Sequence, residues 1–335
     1  MTPPLVKMDG NENLPAAAGA ENGGAAGTRA SCESPGRLIL PHERDGRTAL
    51  IKLFACDLDG TLYNALHETD RAILTCIERA IAAGRHVAVA TGRWSHSASE
   101  LGFGELPMEV VCGNGAFVYG PGARLMRHVP IDPATLEELL DTFPTCCFTC
   151  IAPDGTFVRG TRDQHSAGYL APSGLLGPLI ARRMRRGLHS ESFVFGQTTS
   201  DILSHEVCKV NCRVADPALE AEVDAFVSEH AGTLVNASFD GSLFEITAAG
   251  VDKGEAVAWL AARLGYAEDE VAVYGDGGND LVMLERFEHA YATRGGSEAA
   301  KRAAGNVIGS CAFHAVPRHI MATIRREGPL AQDEG

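Results

Sequence analysis

Four times along this chain a short apolar run stops on a polar residue, and that repetition limits the fold more than any other feature. Ala49 to Cys56 runs into Asp57, His86 to Ala90 into Thr91, Glu109 to Cys112 into Gly113-Asn114-Gly115, and Val271 to Tyr274 into Gly275-Asp276. The first run, broken only by Lys52, suits a strand buried on both faces of a parallel sheet. Ala72, Ile73, Cys76, Ile77, Ala80 and Ile81 then recur at helical spacing until Gly84 stops the pattern. Strand, helix and strand make a right-handed parallel crossover. The expected fold class is therefore α/β, an open parallel sheet whose strand ends carry polar groups at the edge where such sheets bind ligands.

The middle of the chain has another pattern. Helical stretches near 134–143 and 217–230 alternate with strand-like segments at 146–152, 156–159, 207–214, 233–239 and 243–247, joined by turn signals such as Pro153-Asp154-Gly155. This predicts an inserted α+β domain over 134–249, a discontinuous core over 46–133 and 250–326, and a tail over 1–45. The tail is rich in Ala, Gly, Pro, Asn and Glu without apolar periodicity, so it is expected to be disordered. A transit peptide is the alternative, but Asp9, Glu12, Glu21 and Glu33 fit poorly with an acid-poor leader.

Charge and composition narrow the class of partner. Asp and Glu outnumber Lys and Arg by 43 to 29, a formal net charge of −14, and such a surface repels nucleic acid and acidic lipid. No apolar run approaches the roughly 20 residues that cross a bilayer, and the N-terminus lacks a signal-peptide pattern, so a cytoplasmic location away from membranes is expected. The ten cysteines are expected as reduced thiols packed as small hydrophobes. Zinc on Cys147 and Cys150 with Cys208 and Cys212 is conceivable, but the second pair has the wrong spacing and neither lies in a knuckle-like turn. The basic run Arg182 to Arg186 reads as a solvated helix face, with a patch that steers phosphorylated substrates as the alternative.

Chemistry concentrates at Asp57-Leu58-Asp59-Gly60-Thr61, directly after the first buried strand. Two carboxylates one residue apart converge on one cavity if the chain turns, and Gly60 permits the turn. One carboxylate can then coordinate magnesium and attack phosphorus while the other handles the leaving group's proton. Taken alone, an acidic Asx turn is the lesser alternative.

Together, Asp57 to Thr61, Thr91-Gly92-Arg93, Val251-Asp252-Lys253-Gly254 and Gly275-Asp276-Gly277-Gly278-Asn279-Asp280 resemble, in order, the four motifs of the haloacid dehalogenase superfamily. The Asn114-Gly115-Ala116 element, an insertion after the third strand and the Lys-Gly step beyond it resemble the Cof-type phosphatases, over about residues 50 to 320. That resemblance implies a Rossmannoid core with a type IIB cap, and a magnesium-dependent phosphatase that hydrolyses a small phosphorylated metabolite, a sugar phosphate or phosphorylated cofactor. It implies Asp57 as the nucleophile that carries an aspartyl phosphate and Asp59 as general acid and base. Magnesium would be held by the carboxylates of Asp57 and Asp276 and the main-chain carbonyl of Asp59, with Asp280 supporting from behind. Leu58, Thr91, Gly92, Asn114, Lys253 and Asn279 would bind the phosphate. A phosphomutase or phosphotransferase is the alternative within the same scaffold, and a non-catalytic phosphate-binding regulator the alternative outside catalysis. One departure stands out: after the last strand the family shows a small-residue turn with an asparagine, where this chain has Thr293-Arg294-Gly295-Gly296.

Overall fold

The structure is a computed structural model that describes residues 49–168, 193–238 and 242–330. The tail over 1–45 and the run Arg182 to Arg186 lie outside the described residues. Two sheets organise the rest. Seven strands form the first: β1 (Leu53–Cys56), β2 (His86–Ala90), β3 (Glu109–Cys112), β4 (Phe117–Gly120), β5 (Arg124–His128), β12 (Val271–Gly275) and β13 (His289–Ala292), in the order β13-β12-β1-β2-β3-β4-β5. The five strands from β13 to β3 are parallel, and β4 and β5 continue the sheet antiparallel.

Burial on both faces explains why β1 reads as an unbroken apolar run. Phe54 and Cys56 enter one cluster, with Ile73 and Ile77 of the helix Arg71–Ala82 and Val316 and Ile320 of the helix Ala315–Glu327. Leu53 and Ala55 enter the opposite cluster, with Val257 and Leu260 of the helix Lys253–Arg263 and Leu284 of the helix Leu281–Arg286. The strand is shorter than its sequence suggests. Lys52 turns out to pair with Glu270 at 2.9 Å, and Leu50 is exposed.

The chain leaves β1 to one side for β2 and β3 and returns on the other side as β12 and β13. The sheet order therefore reverses between β1 and β12, and a crevice opens there at the carboxyl ends of the strands. Asp57 and Asp276 lie at those two ends.

The second sheet comes from the inserted segment: β6 (Phe148–Ala152), β7 (Gly155–Arg159), β8 (Phe193–Phe195), β9 (Lys209–Arg213), β10 (Leu234–Asn236) and β11 (Leu243–Ala248), in the order β10-β11-β9-β6-β7-β8. One face packs Phe148, Cys150, Val210, Cys212, Phe244 and Ile246 against Leu136, Leu139 and Leu140 of the helix Pro133–Thr142 and Val223, Phe226 and Val227 of the helix Pro217–Glu229. The side chains between these apolar positions, among them Thr149, Lys209, Asn211, Glu245 and Thr247, alternate to the other face. No helix among the described residues is long and apolar enough to cross a membrane.

Candidate active site

The site starts from a turn. After β1 the chain reverses within five residues: Leu62 N donates to Asp57 O at 3.1 Å and Tyr63 N to Leu58 O at 2.9 Å. Gly60 takes the left-handed conformation (φ 79°), which a side chain would strain. Asp57 thus points into the crevice almost fully buried, while Leu58 packs in the core below.

Lys253 reaches the same point from the other side of the sheet. It is the first residue of the helix Lys253–Arg263, whose end is capped by the Asp252 carboxylate accepting from Glu255 N. The Lys253 ammonium, 1% exposed, donates to Asp57 Oδ1 and to Asp280 Oδ1, each at 2.7 Å. Asp280 spends its other oxygen on the amides of Asp276 and Gly277, both at 2.9 Å. That holds the loop after β12 so that Asp276 faces Asp57. Thr61 donates to Asp276 Oδ1 at 3.3 Å.

Electrostatics in this pocket are unbalanced. Burial pushes the Asp57 carboxyl up to about 8, with Lys253 pulling it down and Asp280 and Asp276 pushing it up. Burial, followed by repulsion from Asp280, raises Asp276 to about 6. For Lys253, burial favours the neutral amine, but Asp280 and Asp57 outweigh it and hold the ammonium charged.

Ligand oxygens of Asp57, Asp276 and Asp280 lie within 4.8 Å of one another, and no other such cluster of three exists among the described residues. The thiols of Cys147, Cys150, Cys208 and Cys212 are free and form none. Three carboxylates share one buried ammonium, so the donor set fits a hard dication that takes oxygen ligands and supplies the missing positive charge. Asp280 has both oxygens engaged, which leaves Asp57 and Asp276 as the carboxylates with capacity for a metal.

Asp59 stands apart from that cluster. Its carboxylate takes a two-pronged contact from Arg93, Nε to Oδ2 at 2.7 Å and Nη2 to Oδ1 at 2.6 Å, and a third from His67 Nδ1 at 2.9 Å. Burial acts to raise its pKa, but Arg93 and then His67 outweigh that and leave it lowered.

The remaining predicted residues form a second group. Thr91 is buried, its hydroxyl accepting from Arg93 N at 3.1 Å and its carbonyl from Asn114 N at 3.0 Å. Asn114 sits in the left-handed region (φ 59°), and its Oδ1 accepts from Asn279 Nδ2 at 3.0 Å. Gly92 lies against this pair: a β-carbon there would stand 2.8 Å from Asn114 Oδ1.

Arg93 stands within its motif with no partner that the sequence names, and no motif marks His67, Lys209 or Glu245. Glu245 carries a signal in retrospect, being the single charge inside the strand-like segment 243–247, whereas Lys209 shares its segment with Arg213. The divergent turn at Thr293 also touches the site, through its backbone neighbours: Thr293 Oγ1 donates to Gly60 O at 3.0 Å and Ser297 N to Asp276 O at 2.9 Å.

The family model of the haloacid dehalogenase-like hydrolases matches residues 54–320. The chain belongs to that family. It is a Cof-type hydrolase of phosphoric monoesters, and several curated relatives carry phosphatase names. Phosphatase YwpJ of Bacillus subtilis is 25% identical over 70% of this chain and 86% of its own length. The 5-amino-6-(5-phospho-D-ribitylamino)uracil phosphatase YbjI of Escherichia coli is 26% identical over 84% of this chain and 99% of its own. Among solved structures, a haloacid dehalogenase-like hydrolase from B. subtilis superposes with a TM-score of 0.71 over 81% of this chain and 99% of that one, at 23% identity, which speaks to the fold.

Proposed function

We propose that this hydrolase removes phosphate from a small phosphorylated metabolite, a sugar phosphate or a phosphorylated cofactor, through an aspartyl phosphate on Asp57. The observation that carries this reading is the buried contact of Lys253 with both Asp57 and Asp280 beside Asp276 at the switch point of the sheet. Asp57 and Asp276, with the main-chain carbonyl of Asp59, would hold magnesium, which when bound supplies Lewis-acid charge for the phosphoryl oxygens and fixes their orientation.

The chain's own groups account for the rest. Asp57 presents its free oxygen to phosphorus in line with the leaving oxygen, and the ester bond breaks as the aspartyl bond forms. Lys253, Thr91 and the Gly92 amide compensate charge on the transferring group, and Asn279 and Asn114 orient it. Asp59, held as a carboxylate by Arg93, is set to take a proton from the water that hydrolyses the acyl phosphate; protonating the leaving oxygen first requires that pair to loosen as substrate enters.

We assign substrate choice to the inserted segment as a cap. Its second sheet directs a polar face toward the core, where Lys209 bonds Gly92 O, and on that face Asn211 Oδ1 and Thr247 Oγ1 are buried without a hydrogen-bond partner. Hydroxyl-bearing leaving groups suit such atoms. The ribityl phosphate in the name of the E. coli relative is a substrate of that kind. A panel of phosphorylated sugars and cofactors, assayed for inorganic phosphate in magnesium, tests the reading. Release from at least one member, abolished by Asp57→Asn, is expected; no release from any ester, activated ones included, would refute it.

A further inference from the structure

One buried lysine joins the second sheet to the phosphate-binding loops. Strand pairing sets Lys209 beside Ile151 and Thr247, and Asn211 beside Thr149 and Glu245. Val210 and Cys212 enter the apolar layer beneath the helices, which turns Lys209 the other way. Its ammonium, 1% exposed, donates to Gly92 O at 2.8 Å and to Glu245 Oε1 at 2.6 Å. Glu245 Oε2 in turn accepts from Asn114 Nδ2 at 3.2 Å, and Asn114 Oδ1 accepts from Asn279 Nδ2 at 3.0 Å. A single hydrogen-bonded path therefore runs from Gly92 O through a lysine of the inserted sheet and Glu245 to Asn114 and Asn279.

Charge gives the arrangement its consequence. Glu245 lies one hydrogen bond from a residue assigned to phosphate, and an uncompensated carboxylate in that place would repel a phosphate dianion through a medium less screening than water. A buried ammonium is costly unless paired, and here its pair is that carboxylate.

We propose that Lys209 is a positioning residue of the phosphate pocket: it fixes the Gly92 peptide and cancels the charge of Glu245, so that Glu245 can orient Asn114 without repelling substrate. This rests on the functional reading above, which assigns Gly92, Asn114 and Asn279 to the phosphate.

Inorganic phosphate is the probe. Its inhibition constant against p-nitrophenyl phosphate hydrolysis is measured in saturating magnesium for wild type, Lys209→Met, Glu245→Gln and the double variant, each checked for folding by thermal unfolding. Lys209→Met is expected to weaken phosphate binding and raise KM about tenfold, with a smaller loss in kcat. The double variant, with the carboxylate gone, should recover most of that affinity. A loss that the double variant does not relieve would mark Lys209 as a structural pin and overturn the proposal, as would an inhibition constant within about twofold of wild type in folded Lys209→Met. If Lys209→Met does not fold, Glu245→Gln decides: the surplus ammonium should leave phosphate affinity equal or higher, and a tenfold loss would overturn the charge argument. Should wild type hydrolyse neither this ester nor any member of the panel, the functional reading falls by itself, and calorimetric titration of the same four proteins with phosphate still tests Lys209.

Discussion

Gly60 and Asp276 leave no space for a carbon atom between them: a β-carbon on Gly60 would stand 2.2 Å from Asp276 Oδ2. The turn after β1 is thus a spacer of fixed thickness between the two halves of the carboxylate cluster, and its positive φ disfavours any side chain. Gly60→Ala is expected to displace the Asp276 carboxylate and lower kcat/KM by about 100-fold or more, with weaker magnesium dependence and a stability loss of about 1–2 kcal/mol. Titrating activity against magnesium in the variant checks it. Wild-type turnover with an unchanged magnesium midpoint would show that the spacer tolerates a side chain.

Lys253 bonds Asp57 and Asp280 together, the first side chain only 9% exposed and the second fully buried. Lys253→Met should therefore cost about 3–5 kcal/mol in urea unfolding and reduce kcat by about 100-fold or more. Lys253→Arg should rescue little, because a planar guanidinium needs room that a residue 1% exposed does not have. Full stability in Lys253→Met would mean that the pair is not buried in solution.

Much of this site was legible because its strands are buried on both faces and end abruptly. Asp57, Thr91, Asn114 and Asp276 each follow such an end, so pattern alone brought them to one edge of one sheet. The hairpin β4 and β5 escaped because β5 carries Arg124, Arg127 and His128 and lies at the sheet's edge, where charge replaces alternation. Contacts between the two sheets escaped for another reason. Lys209 and Glu245 pair across two strands and reach Gly92 and Asn114 from 117 and 131 residues away, a relationship no local period encodes. Arg93 was visible as a residue, but its grip on Asp59 depends on how two strand ends are placed side by side.

His86 and Glu109 give β2 and β3 a pH-dependent contact, His86 Nδ1 to Glu109 Oε1 at 2.6 Å, with Glu109 buried. That hydrogen bond raises the histidine's pKa, against burial, which lowers it. The folded pKa lies above the unfolded value of 6.5, so the contribution is fully present below that value and is lost as pH rises through the folded one. His86→Gln should therefore destabilise more at about pH 5.5 than at about pH 8.5, by under about 1 kcal/mol because the imidazole is 35% exposed. Urea unfolding of both proteins at the two pH values measures it, and an equal or larger loss at high pH would contradict the assigned contact.

Asp57→Asn separates catalysis from stability in opposite directions. The amide keeps the shape of the side chain but cannot attack phosphorus, so turnover should vanish. Stability should rise when metal is chelated. Burial, with Asp280 and Asp276 adding to it, lifts the Asp57 carboxyl from 3.8 to about 8, so in the absence of a dication the folded state prefers it protonated while the unfolded state ionises it. Unfolding therefore gains from ionisation as pH climbs from about 4 toward about 8, a penalty that asparagine does not carry. In chelator at pH 8 the variant should melt above wild type, and the gap should close as pH falls toward 5. Saturating magnesium should narrow the gap at pH 8, because the dication restores the value of an ionised Asp57 and is itself bound less well by the amide. Thermal unfolding of both proteins across pH, with and without magnesium, reads all of these effects at once. A variant less stable than wild type in chelator at pH 8 would mean that Lys253 already balances the cluster, and that no dication is needed to account for three carboxylates so close together.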